Sequence, residues 1–424
     1  MTDTTITALH AWEALDSRGR PTVACTITLA GGAVGRAIVP SGASTGAFEA
    51  KELRDGGPEY AGFGVRRAVE SANTAVAAAV VGLDAVDQVA VDAAMEALDP
   101  DPELSAVGSN GVLAASLATL LAAAASTRTE LWRHLDPDGV PLIPLPMVNI
   151  VSGGAHAGKA IDIQDILVIP VGSHSFREGI EWVDRVRRAT AELLEQLGGW
   201  SALVADEGGL SARLADNESA LDLVTRGIEA AGFTPRDDVS IAIDVAASQL
   251  VDAGGIRLRT EDRVLPTTEW VDRLAQWVSR FPIVSIEDPL GESDWEGWAE
   301  AAATLTGLQL LGDDLFATND ARLARGIRAG VANSVLVKPN QGGTVTRARR
   351  VVESAQAAGF APVVSARSGD TEDHWLADLA VGWRAGQIKV GSTMRSERTA
   401  KWNRLLEIES ATETVYAGSA ALAR

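Results

Sequence analysis

Acidic side chains end several apolar runs in the C-terminal two thirds of the chain. Asp244 ends Ile-Ala-Ile-Asp, Glu287 ends Val-Ser-Ile-Glu, and Asp313 follows Leu-Leu-Gly. Any one of these acids could simply cap the helix that follows it. Three carboxylates in one cleft, however, repel one another unless a cation lies between them. Because the set contains only oxygen ligands, it predicts a hard ion, with Mg²⁺ first.

Basic side chains occupy comparable positions further along the chain. Lys338 ends Ser-Val-Leu-Val-Lys, Lys389 ends Gln-Ile-Lys, and Arg367-Ser368 follows Val-Val-Ser-Ala. Only five of the 37 basic residues are lysine, and arginine cannot give up its proton at working pH. Burial beside metal ions and a second cation is expected to disfavour the charged form of Lys338, which could then act as a general base. The simpler alternative for Lys338 is a salt bridge at the mouth of a barrel.

The remaining groups suggest a reaction. Arg367 offers a planar fork of donors for phosphate or carboxylate, and Lys389 offers a fixed positive charge. Glu207, in Val-Ala-Asp-Glu-Gly-Gly, ends a further predicted strand and is a candidate general acid. A base, an acid, a hard metal and an anion clamp together predict proton abstraction next to a metal-bound carboxylate, followed by β-elimination of a hydroxyl group.

Repeated strand–helix alternation over residues 139–424 would bring these side chains together. Short apolar runs ending in polar residues are typical of parallel strands buried on both faces. About eight such strands in roughly 280 residues predict a (β/α)8 barrel, whose strands end at one shared mouth. The runs are Ile166–Val171, Leu203–Asp206, Val239–Asp244, Ile283–Glu287, Leu308–Asp313, Ser334–Lys338, Ala361–Ala366 and Gln387–Val390.

Residues 1–138 predict a smaller α+β domain. An alternating strand over 21–29, a Gly31-Gly32 turn and a strand over 33–39 precede the small, polar loop 40–46. Ala- and Val-rich helical stretches follow at 65–81, 87–98 and 110–125. The proline-rich segment 140–146 is interpreted as the joint between the two domains.

Composition limits the classes of protein. The 424 residues are 46% hydrophobic, which excludes a largely disordered chain, and the net charge of −20 argues against a protein that coats nucleic acid. Cys25 is the only cysteine, so neither an intrachain disulfide nor a cysteine zinc site is expected. We find neither an apolar run of membrane-spanning length nor a signal-peptide pattern, and expect a cytoplasmic protein.

Ten ordered segments resemble the enolase family over nearly the whole chain. They are Asp16-Ser-Arg-Gly-Arg-Pro-Thr, Val39-Pro-Ser-Gly-Ala-Ser-Thr-Gly46, Gly153-Gly-Ala-His-Ala-Gly158, Asp206-Glu-Gly-Gly, Ser285-Ile-Glu-Asp-Pro289, Gly312-Asp-Asp-Leu315, Asn340-Gln-Gly-Gly-Thr, Arg367-Ser-Gly-Asp-Thr-Glu-Asp373, Gly386-Gln-Ile-Lys-Val-Gly and Arg395-Ser-Glu-Arg.

The resemblance implies an α/β fold in which a small N-terminal α+β domain with a mobile loop 40–46 caps an enolase-type (β/α)8 barrel. It further implies two Mg²⁺ ions, a small anionic phospho-substrate (2-phosphoglycerate or a close analogue), and a homodimer or larger homo-oligomer. Residue by residue, it implies metal ligands Asp244, Glu287, Asp313 and Ser44, the base Lys338, the acid Glu207, the loop histidine His156, a catalytic carboxylate at Asp165, and substrate contacts Gln164, Arg367, Ser368 and Lys389.

Several positions depart from the family pattern. Ala366 stands where enolases have histidine, and Asp165 where they have glutamate. Lys159 adds a cation beside the loop histidine and is a candidate substrate contact, and Phe48 replaces a usual histidine. Pro339 and Gly342 replace larger aliphatic residues after the base.

Three functions remain open on these residues. The changes favour a specialised paralogue, similar to carboxyphosphonoenolpyruvate synthase of phosphonate antibiotic biosynthesis, because Ala366 leaves space near phosphorus and Lys159 could meet an added negative charge. The alternative is a housekeeping glycolytic enolase. An inactive enolase-like binding protein is the third possibility, against which the intact base, acid and metal carboxylates argue.

Overall fold

A computed structural model describes residues 3–43 and 46–423. The N-terminal region begins with a three-stranded antiparallel sheet in the order β1-β2-β3. The predicted strands β2 and β3 are confirmed, whereas β1 was not predicted because much of it is only partly buried and its alternation is weak. The strands are β1 (Ile6–Leu15), β2 (Pro21–Leu29) and β3 (Val34–Ile38).

Five helices follow this sheet; α1, α2 and α4 pack on it, and the longest, α4, lies in the core. A Cβ at Gly35 of β3 would lie 2.1 Å from the Ala118 carbonyl oxygen of α4, so only glycine permits this close approach. Among the described residues, α4 alone is long and apolar enough to span a bilayer, but 89% of it is buried inside the protein. The helices are α1 (Arg66–Ser71), α2 (Ala77–Val80), α3 (Gln88–Glu96), α4 (Ser109–Ser126) and α5 (Leu131–Leu135).

Eight strands form a closed barrel in the order β5-β6-β8-β12-β13-β14-β15-β16, and β16 pairs with β5 to close it. The predicted (β/α)8 barrel is thus confirmed. The strands of this region are β4 (Leu142–Ile143), β5 (Leu145–Ser152), β6 (Asp165–Ile169), β7 (Leu210–Ser211), β8 (Ser240–Asp244), β9 (Val251–Asp252), β10 (Gly255–Leu258), β11 (Arg263–Leu265), β12 (Ile283–Glu287), β13 (Gln309–Gly312), β14 (Ser334–Val337), β15 (Ala361–Ser365), β16 (Gln387–Gly391) and β17 (Val415–Tyr416).

Helices accompany the barrel strands, and apolar side chains such as Leu145, Leu167, Leu336 and Val363 form a separate buried cluster among the strands. On α8, Trp270 and Trp277 pack edge to face at 5.5 Å. The helices are α6 (Phe176–Gln196), α7 (Asn217–Ala230), α8 (Thr267–Arg280), α9 (Trp295–Thr304), α10 (Asp320–Ala329), α11 (Pro339–Gly342), α12 (Val345–Ala357), α13 (Trp375–Gly382) and α14 (Ser396–Ala411).

Two details of the predicted barrel are wrong. The expected strand Leu203–Asp206 makes only an isolated bridge, and its place is taken by β5, which begins inside the predicted proline-rich joint. In addition, β6 runs antiparallel to both β5 and β8. The connection from β5 to β6 spans residues 153–164 and contains only a short 3-10 turn, too little for the crossover that parallel neighbours need.

Candidate active site

Two neighbouring barrel strands end in carboxylates that share one lysine. Asp244 and Glu287 are paired across β8 and β12. Lys389 on β16 donates hydrogen bonds from Nζ to Asp244 Oδ2 at 2.8 Å and to Glu287 Oε2 at 2.6 Å. All three side chains are buried. The predicted convergence of strand ends therefore places these three groups in contact.

The single positive charge of Lys389 does not neutralise both Asp244 and Glu287. Burial, and then the nearby Asp244 carboxylate, raise the pKa of Glu287 well above its usual range despite Lys389. Burial also opposes ionisation of Asp244, but Lys389, Lys338 and His156 together outweigh it, so the pKa of Asp244 is lowered. Glu287 Oε1 is buried without a hydrogen-bond partner among the described residues. A further cation would therefore be favoured here.

The third predicted ligand is paired with the predicted base. Lys338 Nζ donates to Asp313 Oδ2, just beyond the ends of β14 and β13. Burial is the largest single effect and lowers the pKa of Lys338, but the Asp313 and Glu287 carboxylates together outweigh it, so the pKa lies above its usual value. The neutral amine expected from the sequence requires metal ions beside these carboxylates, and it stays a prediction.

A compact acidic group adjoins Asp313. Ligand oxygens of Asp288, Asp313 and Asp314 lie within 4.8 Å of one another. In the described part of the chain, the carboxylate oxygens of the predicted set Asp244, Glu287 and Asp313 do not all come this close to one another. Burial, then Asp313, raise the pKa of Asp314 to about 7. This site would suit a hard divalent cation, because its donors are oxygens, its acids are crowded, and Glu287 Oε1 has no partner among the described residues.

His156 is held by a buried carboxylate behind it. Its Nδ1 lies 2.7 Å from Asp165 Oδ2, while Asp165 Oδ1 accepts hydrogen bonds from Ser152 Oγ at 2.8 Å and from Asn149 Nδ2. Burial would lower the pKa of His156, but Asp165 and Glu207 outweigh it and raise the pKa to about 9. Asp165 is fully buried and does not line the pocket described below, so it acts on His156 here.

We expect a pH-dependent stabilisation from this pair. A histidine whose pKa rises on folding stabilises the protein fully below its unfolded pKa of about 6.5, and loses this effect as the pH approaches about 9. In metal-free buffer, NMR titration of isotope-labelled histidine should show one ring titrating near pH 9. Asp165→Asn should lower that pKa and reduce thermal stability more at pH 6 than at pH 9. A normal histidine pKa in the wild type would contradict the pairing.

One small polar pocket gathers most of the predicted site residues. The side chains of Lys338, Glu207, Arg367 and Lys389 converge there, with Ala366 in the wall. Ser365 was not predicted, since nothing distinguished it from other strand residues. The complete lining is Ala43, His156, Gln164, Glu207, Asp244, Lys338, Ser365, Ala366, Arg367, Ser368 and Lys389.

Four of the predicted site residues that the structure describes do not line this pocket: Asp165, Glu287, Asp313 and Lys159. Lys159 is exposed on the loop after His156, with a left-handed backbone (φ 64°), and is absent from the pocket lining. Ser44, the expected contact of a second metal ion, lies outside the described residues. Gln164 does reach the site, where its Nε2 donates to Asp244 Oδ2 at 3.2 Å.

The Arg367-Ser368 turn is fixed from several sides. Arg367 forms a buried ion pair with Glu49 at 3.0 Å, a partner that sequence reasoning missed although it lies three residues after the polar loop. Ser368 Oγ accepts a hydrogen bond from Ala43 N at 2.6 Å. From α14, Arg398 donates to the carbonyl oxygens of Arg367 and Ser368, both at 2.6 Å. The anion clamp is therefore largely pre-formed.

The protein is a (β/α)8 barrel with a polar candidate site at its strand ends, and comparison with known proteins gives the family. Residues 6–135 match the family model for the enolase N-terminal domain, and residues 141–424 match that for the enolase C-terminal TIM barrel domain. The chain belongs to the enolase family. It is 46% identical over 422 residues to a protein named Enolase from Acidothermus cellulolyticus, covering 99% of this chain and 98% of the relative.

Proposed function

We propose that this enzyme is a housekeeping phosphopyruvate hydratase, which converts 2-phosphoglycerate to phosphoenolpyruvate in glycolysis. The observation that carries this proposal is the meeting of Lys338, Glu207, Arg367 and Lys389 in one small polar pocket beside buried carboxylates. The 46% identity to a named enolase over the whole chain supports this function better than the specialised-paralogue interpretation favoured by the sequence.

The groups in the pocket supply both proton transfers. Lys338, once deprotonated, takes the proton from C2 of the substrate. The electron pair of that C–H bond forms the C2–C3 double bond as the C3–O bond breaks, and Glu207 gives its proton to the departing hydroxyl, which leaves as water. Arg367 and Ser368 bind the phosphate through charge-assisted hydrogen bonds and fix the substrate before proton transfer.

Asp244, Glu287 and Asp313 would hold Mg²⁺, and we propose two ions per site, with Ser44 at the second. An ion held by these residues would supply positive charge to stabilise the negative charge that develops on the substrate carboxylate when C2 loses its proton. The same carboxylates form ion pairs with Lys389 and Lys338. A cation held by these acids would weaken those pairs and leave the two amines free to act on the substrate.

Direct assay tests the proposal. With Mg²⁺ and 2-phosphoglycerate, the wild-type enzyme should form phosphoenolpyruvate at about 10 per second or more, measured by phosphorus NMR. Addition of EDTA should abolish the reaction. A wild-type rate several orders of magnitude lower would contradict the assignment.

The specialised paralogue remains a second candidate because of Ala366. This residue lies in the pocket wall next to Arg367 and contributes only a methyl group there. If the space serves a phosphonate partner, wild-type enzyme should make a new product from 2-phosphoglycerate and phosphonoformate, free or nucleotide-activated, and Ala366→His should abolish it. For a housekeeping enzyme, we expect no such product and equal or faster 2-phosphoglycerate dehydration in Ala366→His.

We also propose that the protein acts in the cytoplasm as a homodimer or larger homo-oligomer, without nucleic-acid or membrane partners. The family membership and the net charge of −20 support this proposal. Sedimentation equilibrium of the full chain tests the oligomeric state.

A further inference from the structure

The loop after β13 contains a strained backbone that the mechanism above does not use. Ala317 and Thr318 both have φ 48°, in the left-handed region. Threonine is β-branched and rarely adopts this conformation. Thr318 is 2% exposed, so its surroundings enforce the conformation. Strain of this kind is retained where it places a side chain for function.

The Thr318 hydroxyl lies in a buried hydrogen-bond chain. Lys338 N donates to Thr318 Oγ1 at 2.9 Å, and Thr318 Oγ1 donates to Gln341 Oε1 at 2.7 Å. Gln341 Nε2 then donates to Asp313 Oδ1 at 2.9 Å and to Glu49 Oε1 at 3.2 Å. One chain therefore connects the backbone of the base with two buried carboxylates.

The groups at the two ends of this chain determine which atom donates in each of its hydrogen bonds. A backbone N–H can only donate, so Thr318 accepts from Lys338 and must donate onward. Ionised carboxylates can only accept, so the Gln341 amide must present its NH₂ group to Asp313 and Glu49 and its oxygen to Thr318. Apolar side chains of similar size, such as Val with Met, could not satisfy these partners.

Each of the two carboxylates also accepts a hydrogen bond from a basic side chain of the site. The second oxygen of Asp313 accepts from Lys338 Nζ, and that of Glu49 accepts from Arg367 at 3.0 Å. Gln341 therefore sets the orientation of both acids, and through them the base and the anion clamp. Short-range structure brings it there, because Pro339 begins the single turn α11 directly after Lys338.

We propose that Thr318 and Gln341 are positioning residues for the proton abstraction by Lys338. Thr318 fixes the backbone from which the base projects, and Gln341 fixes the two carboxylates that orient the base amine and Arg367. This inference rests on the proposed dehydratase function, in which Lys338 takes the C2 proton.

Replacement of the Thr318 hydroxyl tests the first part. Thr318→Val keeps the branched shape and should lower kcat for dehydration about 10- to 100-fold, the loss expected from a small displacement of a catalytic group. Exchange of the C2 proton with solvent deuterium should slow in parallel, while KM changes little. Thr318→Ser, which keeps the hydroxyl, should recover most of kcat.

A matched control removes another buried threonine hydroxyl, whose hydrogen bond lies outside the chain of bonds described above. Thr119 on α4 is buried, and its Oγ1 donates only to Ala115 O at 2.8 Å. Thr119→Val should leave kcat and C2 exchange at wild-type values. If Thr318→Val folds with wild-type kcat, or changes only KM, the positioning role is wrong.

Gln341 variants test the direction of the chain and serve if Thr318→Val does not fold. Gln341→Glu replaces the donating NH₂ by an acceptor facing two carboxylates, and should lower kcat and C2 exchange more than Gln341→Met, which only removes the bonds. Equal activity of the wild type and both variants would overturn the inference alone. A wild type that does not dehydrate 2-phosphoglycerate would instead overturn the proposed function, and this inference with it.

Discussion

Replacing Lys338 with arginine should reduce 2-phosphoglycerate dehydration by about 10³- to 10⁴-fold, although the positive charge is kept. Guanidinium does not lose its proton at working pH and so cannot accept the C2 proton. Arginine can still pair with Asp313, as Lys338 does now, so we expect the variant to remain folded. The measurement is kcat together with exchange of the substrate C2 proton in deuterium oxide.

The control makes the same substitution on the surface. Lys51 is 41% exposed and lies 3.6 Å from Glu103. Lys51→Arg should keep wild-type kcat and C2 exchange. Exchange at the wild-type rate in Lys338→Arg would show that another residue is the base.

Replacing Glu287 with glutamine should abolish stabilisation by Mg²⁺ and reduce activity about 10³-fold or more. The amide keeps the shape of the side chain but lacks the charge that a hard cation needs. Without metal, Tm should be equal to or above that of the wild type, because burial and Asp244 already raise the pKa of this carboxyl group. Lys389 keeps Asp244 as its partner.

Thermal unfolding with and without Mg²⁺ measures this effect. Ligand at 100 times its Kd stabilises a protein by about 2.7 kcal/mol, which is a clear shift in Tm for the wild type. Glu353→Gln, on the exposed face of α12, is the control and should keep the full shift. A wild-type Mg²⁺ shift in Glu287→Gln would exclude Glu287 as a ligand.

The barrel strands were predictable where an apolar run ends in a candidate functional side chain. Asp244 and Glu287 end mostly apolar runs, and the sequence therefore indicates both a buried parallel strand and the side chain at its end. The pattern failed at β5, where prolines at 144 and 146 suggested a linker although Leu145 and Met147 belong to a buried apolar cluster. It also failed at Leu203–Asp206, where an apolar run forms only one bridge.

The site was predictable for side chains at strand ends and much less so for their supports. Glu49, Thr318 and Gln341 lie in loops or in a single helical turn, where no periodicity identifies a buried polar group. The pKa of Lys338 depends on its contact with Asp313, which sequence spacing does not show. The role of Asp165 depended on packing, since Asn149 and Ser152 hold its carboxylate behind His156.

The reversed strand β6 has a consequence for how this active site could be changed. Because β6 runs against its neighbours, Asp165 at its start is paired with Asp244 at the end of β8. Residues 153–164, which carry His156 and Gln164, therefore leave and re-enter the barrel on the same rim. Because both ends of this segment lie on one rim, we expect that it can be replaced by the corresponding segment of a relative without changing the order of the barrel strands. Laboratory evolution of new substrate preferences could therefore begin with such replacements.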